Sequence, residues 1–150
     1  MRGLAGLLGI LGALCVAAPA PALEFVEKTE LEFGGIAATQ SQGPVAVTPQ
    51  GGSNCGVHTC LGGHQAARMH IKKADRSAQY SLSYSTGDVL TRVGGGGTIP
   101  LQNLNDSAGS LITTNKGGNA RFRIGGEILL GPDTPGGDYT GTYTIILELQ

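Results

Sequence analysis

A chain of 150 residues and 15.2 kDa has the length of one domain, and a formal charge of −1 gives no electrostatic footprint for nucleic acid or for an anionic membrane surface. With 26 glycines, no Trp and 5% aromatic residues, the composition suits short strands and many turns rather than helices. A chain of this size buries a single core with a modest margin.

Met1-Arg2, the apolar and glycine run Leu4 to Ala18, and the small-x-small triplet Ala20-Pro21-Ala22 predict a secretory signal peptide over residues 1–22. The apolar run is too short for a good membrane span, and Cys15 belongs to it. Removal of the leader takes one of the ten cations, leaving nine against eleven acidic residues, a formal charge near −2. The expected product is one exported domain, residues 23–150, bound for the periplasm and then the cell surface or the medium.

Leu31 and Phe33 alternate with Glu30 and Glu32 before Gly34-Gly35 ends or bulges the strand. Leu23 and Phe25 share that phase but Glu27 and Thr29 interrupt it. The start is therefore either one long strand with a polar middle or an apolar arm ahead of the first true strand. Val45 and Val47 mark a short strand between prolines, and Gln50 to Gln65 follows as a glycine-rich loop. Ala67, Met69 and Ile71 alternate with Arg68, His70 and Lys72; Tyr80, Leu82 and Tyr84 alternate with Ser81 and Ser83. A hairpin is the simplest link between these two runs. Val89 to Leu104 is less regular and holds Gly94 to Gly97 as a flexible loop. Leu111-Ile112 predicts a short strand, and Phe122, Ile124, Ile128 and Leu130 a strand bent at Gly125-Gly126.

The last twenty-five residues break one strand at Gly131 to Asp138 and build another from Tyr139 to Gln150. There Tyr143, Ile145, Leu147 and Leu149 occupy one face and Thr144, Ile146 and Glu148 the other. The free edge of that strand requires pairing by another element of this chain or by another chain. About seven short strands at regular spacing predict an all-β, immunoglobulin-like antiparallel β-sandwich.

Cys55 and Cys60, in an exported protein, predict a disulfide closing a short loop, worth roughly 2 to 3 kcal/mol at most. Tetrahedral zinc on Cys55, Cys60, His58 and His64 is the alternative, but the spacing is unlike that of known zinc sites and oxidation removes both thiolates. No nucleophile elbow, zinc-protease helix or phosphate loop is present, so no enzyme, cofactor, metal or small-molecule substrate is expected. His70, among Arg68, Lys72 and Lys73, lies on the polar face of a strand. Solvated surface is its simplest reading, and an anion- or glycan-binding face the other.

Leu31-Glu32-Phe33-Gly34-Gly35-Ile36-Ala37, Asn119 to Gly126, and Gly137-Asp138-Tyr139-Thr140-Gly141-Thr142-Tyr143 together resemble the exported domain of unknown function 4402 family. Through it the chain resembles the spore-coat-U-type and Mat-type fimbrial subunits of chaperone–usher systems, over roughly Leu31 to Leu149. Gly137 is the fourteenth residue from the end, where such subunits carry a glycine, and Leu149 stands where they carry an aromatic residue. The arm from Leu23 to Glu30 is shorter than their donor segments.

The resemblance implies a sandwich short of its last strand, completed by a strand from the next subunit in a fimbria-like fibre that serves structure or cell adhesion. Its partners would be further copies or related subunits, with a periplasmic chaperone and an outer-membrane usher. Leu23 and Phe25 would belong to the donated strand, and Leu31, Phe33, Tyr143, Ile145, Leu147 and Leu149 to the strand-assembly surfaces. The other reading is a self-contained monomeric periplasmic or secreted sandwich, with Leu23 to Phe33 paired inside its own chain and the 50–65 loop holding a ligand.

Overall fold

The computed structural model describes residues 22–150, so the expected leader, Cys15 included, lies outside the described residues except for Ala22. The described residues form no helix but thirteen strands: β1 (Glu24–Thr29), β2 (Gly35–Ala37), β3 (Gly43–Val47), β4 (Ser53–Asn54), β5 (Thr59–Gly62), β6 (Ala67–Lys72) and β7 (Gln79–Tyr84), then β8 (Val89–Arg92), β9 (Thr98–Asp106), β10 (Ile112–Thr113), β11 (Ala120–Leu130), β12 (Tyr139–Thr140) and β13 (Ile145–Leu149). All pairings are antiparallel. The fold is an all-β, sandwich-like one, as the spacing of alternating runs predicts.

The larger sheet runs β1-β6-β11-β9-β8-β12, and the smaller runs β10-β7-β13. β11 is its spine. One edge of β11 pairs with β6 through Ala120 to Ile124 and then with β3 through Gly126 to Leu130, while the other edge pairs with β9. The change of partner falls at Gly125-Gly126, where the register against β9 also shifts. A Cβ on Gly125 would stand 2.2 Å from the Val47 carbonyl oxygen, and one on Gly126 2.9 Å from a Leu104 methyl. Only glycine lets the backbones approach this closely, so the bend expected there is the point where three strands meet.

The interior divides along β11. One cluster gathers Ala67, Met69, Ile71, Ile112, Phe122 and Ile124, with Leu82, Tyr84, Ile145 and Leu147 of the smaller sheet laid across it. The other gathers Val45, Cys55, Ile99, Leu101, Ile128 and Leu130, with Phe33, Ile36, Tyr139 and Tyr143 at its margin. The smaller sheet thus covers one half of the larger sheet's inner face.

Four expectations are corrected. β6 and β7 do not form a hairpin; they lie in opposite sheets with their apolar faces toward each other. Alternation defines which face is apolar, and that face is met equally well across the sandwich as along a ladder. The link between them is pinned from outside: Ala78 N–H donates to the buried Thr114 hydroxyl at 2.9 Å, and that hydroxyl donates to the Asp75 carbonyl at 2.6 Å. Val89 to Leu104 is a regular hairpin of β8 and β9, closed by Gly94, Gly95 and Gly96 at positive φ. Its second strand escapes a period-two reading because Asn103, at φ 52°, shifts the phase from Ile99 and Leu101 to Leu104.

The Gln50 to Gln65 stretch, expected as loop, contains β4 and β5. Finally, the closing strand divides at Gly141. Tyr139-Thr140 joins β8 in the larger sheet and Ile145 to Leu149 joins β7 in the smaller. A Cβ on Gly141 would meet the Val89 carbonyl oxygen at 2.6 Å.

At the start, Glu24–Thr29 is itself a ladder strand on β6, with Phe25 stacked on Phe122 at 5.9 Å. Leu31 and Phe33 follow outside any strand, half-buried, beside the lone bridge Glu32–Gln65.

Gly125→Ala is expected to cost about 3 kcal/mol through overpacking against the Val47 backbone. Gly136→Ala, whose added methyl meets nothing within 4 Å, stays within about 0.5 kcal/mol. Urea denaturation of both variants checks the contrast.

Candidate functional site: an apolar groove beside the last strand

The half of the inner face left uncovered by the smaller sheet is the floor of a groove of about 1040 Å³. Ile99, Leu101, Ile128 and Leu130 line its bottom with Leu90. One wall is the segment Leu31 to Ala38, carrying Phe33 and Ile36; the other runs from Thr134 to Ile145, carrying Tyr139 and Tyr143. β13 pairs with β7 on one edge and ends the smaller sheet on the other. Its second row of N–H and C=O groups has no strand partner among the described residues, and β13 meets the groove at its first residue, Ile145. The five residues of β13 extend about 17 Å at the usual strand rise.

The walls are held firmly. Thr144 N–H donates to the Ser85 hydroxyl at 2.8 Å and Ser85 N–H donates to the Thr144 carbonyl at 2.9 Å, fixing the entry to β13. Arg92 Nε donates to the Gly136 carbonyl at 2.8 Å, and the Tyr139 hydroxyl to the Pro135 carbonyl at 2.6 Å, which tie down the turn ahead of β12. Gly137 has φ 143°, and a Cβ there would lie 2.7 Å from Arg92 Nε, so this turn requires glycine for a local reason. The Tyr143 hydroxyl donates to the Glu27 carboxylate at 3.3 Å, a tie between β1 and the opposite wall.

The residues predicted for strand assembly fall into three places. Tyr143, Ile145 and Leu147 point inward and half-buried, while Ile146 and Glu148 point outward, as alternation predicts. Leu149 keeps the phase but stands at the frayed end, 63% exposed. Leu31 and Phe33 line the groove wall. Phe25 lies in the chain's own sheet against Phe122, and Leu23 precedes β1, exposed. Sequence reasoning missed the floor residues Ile99, Leu101, Ile128 and Leu130 as parts of one surface, since no local pattern joins β9 to β11.

The cysteine loop is ordered. Cys55 and Cys60 form a disulfide, with Cys55 buried in the core. His58 is buried and satisfied at both nitrogens: Nδ1 accepts from Thr39 N–H at 3.1 Å and Nε2–H donates to the Gly43 carbonyl at 3.2 Å. This fixes the tautomer, because the backbone amide only donates and the carbonyl only accepts. Both lone pairs that zinc would need are therefore engaged or absent at His58. Among the described residues no three His, Cys, Asp or Glu side chains are grouped to hold a metal ion.

Two phenols, Tyr143 in the groove wall and Tyr84 in the smaller sheet, are shifted. Burial pushes the Tyr143 phenol above its ordinary range, helped by the Glu27 carboxylate. Burial does the same at Tyr84, with the Asp106 carboxylate that accepts its hydroxyl adding to the effect. An unfolded phenol ionises near pH 10, so the two folded phenols hold their protons more tightly. Their stabilisation is present below about pH 10 and is lost as the pH rises beyond it. Urea midpoints are expected to fall between about pH 8 and pH 11, and to fall less in the Tyr84→Phe/Tyr143→Phe double variant. Leu147→Asp, which buries a charge, is expected to cost about 3 kcal/mol or more, against under about 1 kcal/mol for Ile146→Asp. Equal tolerance at both sites would contradict the orientation of β13.

No curated protein and no solved structure matches the chain. A family model does, over residues 23–148, which is nearly all of the described chain. On that match, the protein belongs to the family described as Domain of unknown function (DUF4402).

Proposed function

We propose that this protein is an exported structural or adhesive subunit of a bacterial surface fibre, and that it assembles by strand addition. The observation that carries the reading is the pairing of an apolar groove floor with a free strand edge. Ile99, Leu101, Ile128 and Leu130 lie at the bottom of the groove, Ile145 at the start of β13 lines it, and the free edge of β13 offers backbone groups to which a fourth strand of the smaller sheet would bond. An extended segment with apolar residues at every second position satisfies both at once. The signal-peptide pattern and the fimbrial resemblance of the sequence support the same reading.

The segment proposed to enter the groove is Leu23 to Phe33 of a second copy. It is apolar at Leu23, Phe25, Leu31 and Phe33, and its central part, β1, is bonded along one edge to β6 in its own chain. Exchange of such an edge strand between copies is head-to-tail and does not close, so it propagates. Before assembly the groove would need shielding by a chaperone of the periplasmic kind, and an usher would order the subunits at the outer membrane.

Size-exclusion chromatography and circular dichroism of the oxidised protein, secreted without partners, test the proposal. Oligomer ladders or aggregation are expected, relieved by a peptide copying Leu23 to Phe33 and not by the same peptide with Phe25→Asp and Leu31→Asp. A stable monomer that ignores both peptides would overturn it.

A further inference from the structure

The outer face of the larger sheet, away from the groove, carries an unusual juxtaposition. On β6, Arg68, His70 and Lys72 face outward at alternate positions; on β11, Arg121 and Arg123 do the same. The register sets Arg123 directly opposite Arg68 and Arg121 directly opposite His70. Like charges opposed across a ladder, as Arg123 is to Arg68, destabilise a sheet. Among the described residues, the side-chain ion pair on this sheet joins Lys73 to Glu24 at its margin, leaving the arginines without a carboxylate partner. The same crowding reaches His70. Desolvation of the ring and the charges of Arg121, Lys28 and Lys72 hold the imidazole below its ordinary range.

The arginines also do not stand on a flat surface. They border a hollow of about 500 Å³ whose rim is completed by Gln50, from the turn after β3, and Ser107, at the end of β9. Ser107 is held in place because Arg123 N–H donates to its hydroxyl at 2.9 Å. A hollow of this size is within the range of small-ligand sites. Its cations are guanidinium forks, suited to carboxylate and sulfate oxygens, while the amide and hydroxyl at the rim suit sugar hydroxyls. No exposed aromatic ring lies among its lining residues, since Phe122 is buried in the core, so bases would find no stacking platform.

We propose that this hollow is a binding site for an acidic saccharide, one bearing carboxylate or sulfate groups at sugar-ring spacing. Alternate residues on one strand stand about 6.6 Å apart and opposed residues about 5 Å apart. The cations therefore form a two-dimensional array that reads anionic groups on a chain better than a single ion.

The test is calorimetric titration of the purified protein with a polyuronate hexamer and a sulfated hexasaccharide, using neutral maltohexaose, duplex DNA and phosphatidylglycerol vesicles for comparison. At least one acidic hexamer is expected to bind, maltohexaose is not, and DNA and vesicles bind more weakly. Arg121→Gln/Arg123→Gln is expected to weaken the acidic hexamer by about tenfold or more, whereas Arg76→Gln/Lys116→Gln, with the same change of charge elsewhere, leaves it unchanged. Amide shifts in the unaltered protein should centre on Arg68, His70, Arg121 and Arg123, a readout that does not depend on the folding of any variant. Absence of binding, equal loss in the two double variants, tighter binding of DNA or vesicles, or shifts centred elsewhere would each overturn the proposal.

Discussion

The close approach of main chains at Gly125-Gly126 is the constraint on which the rest of the molecule depends. β11 must serve β6 before that point, β3 after it, and β9 along its other edge, and side chains at the crossing would hold the strands apart. Because the partner changes there, the larger sheet is longer on its inner face than one small sheet can cover. The two apolar clusters, the covered half and the uncovered half are all consequences of that one crossing. The Gly141 break acts at the other end: it ends pairing in the larger sheet and releases the chain to build β13 in the smaller one.

The uncovered half is a structural debt of the fold rather than a flaw in packing. Its floor residues are almost fully buried, with Phe33, Ile36 of β2, Tyr139 of β12 and Tyr143 packed against them rather than the smaller sheet. The walls are tied by backbone and side-chain hydrogen bonds rather than by apolar contact alone, which keeps a groove open that hydrophobic collapse would otherwise narrow. A free ladder edge beside such a floor combines directional bonding with apolar burial, and this is why strand addition is the reading the geometry supports best.

Much of the secondary structure is legible from alternation, and far less of the topology. Tyr143, Ile145 and Leu147 declare their face correctly, as do Ala67, Met69 and Ile71, and the glycine pair at 125–126 marks its own bend. Two cysteines five positions apart suffice for the disulfide. Alternation is silent about partners, and so β6 and β7 look like a hairpin when they belong to opposite sheets. It also fails where one residue shifts the phase, as Asn103 does in β9. The groove and the cationic hollow are each assembled from strands distant in sequence, and only the register brings them together. Arg68 and Lys72, with the His70 imidazole between them, are visible in a single run; Arg121 and Arg123 join them across the ladder, where a net charge near neutral conceals them.

The smaller sheet has a consequence for the order in which the molecule is made. β7 finds one partner in β10, but its other partner is the last strand of the chain, with Tyr80 opposite Leu149 and Tyr84 opposite Ile145. During synthesis, the apolar faces of Leu82 and Tyr84 therefore wait for almost half of the chain to follow. Pairing across so long an interval closes a large loop late, which is slow compared with local hairpins. The domain is then vectorially incomplete until β13 emerges, and its vulnerable interval is the passage between β7 and β13.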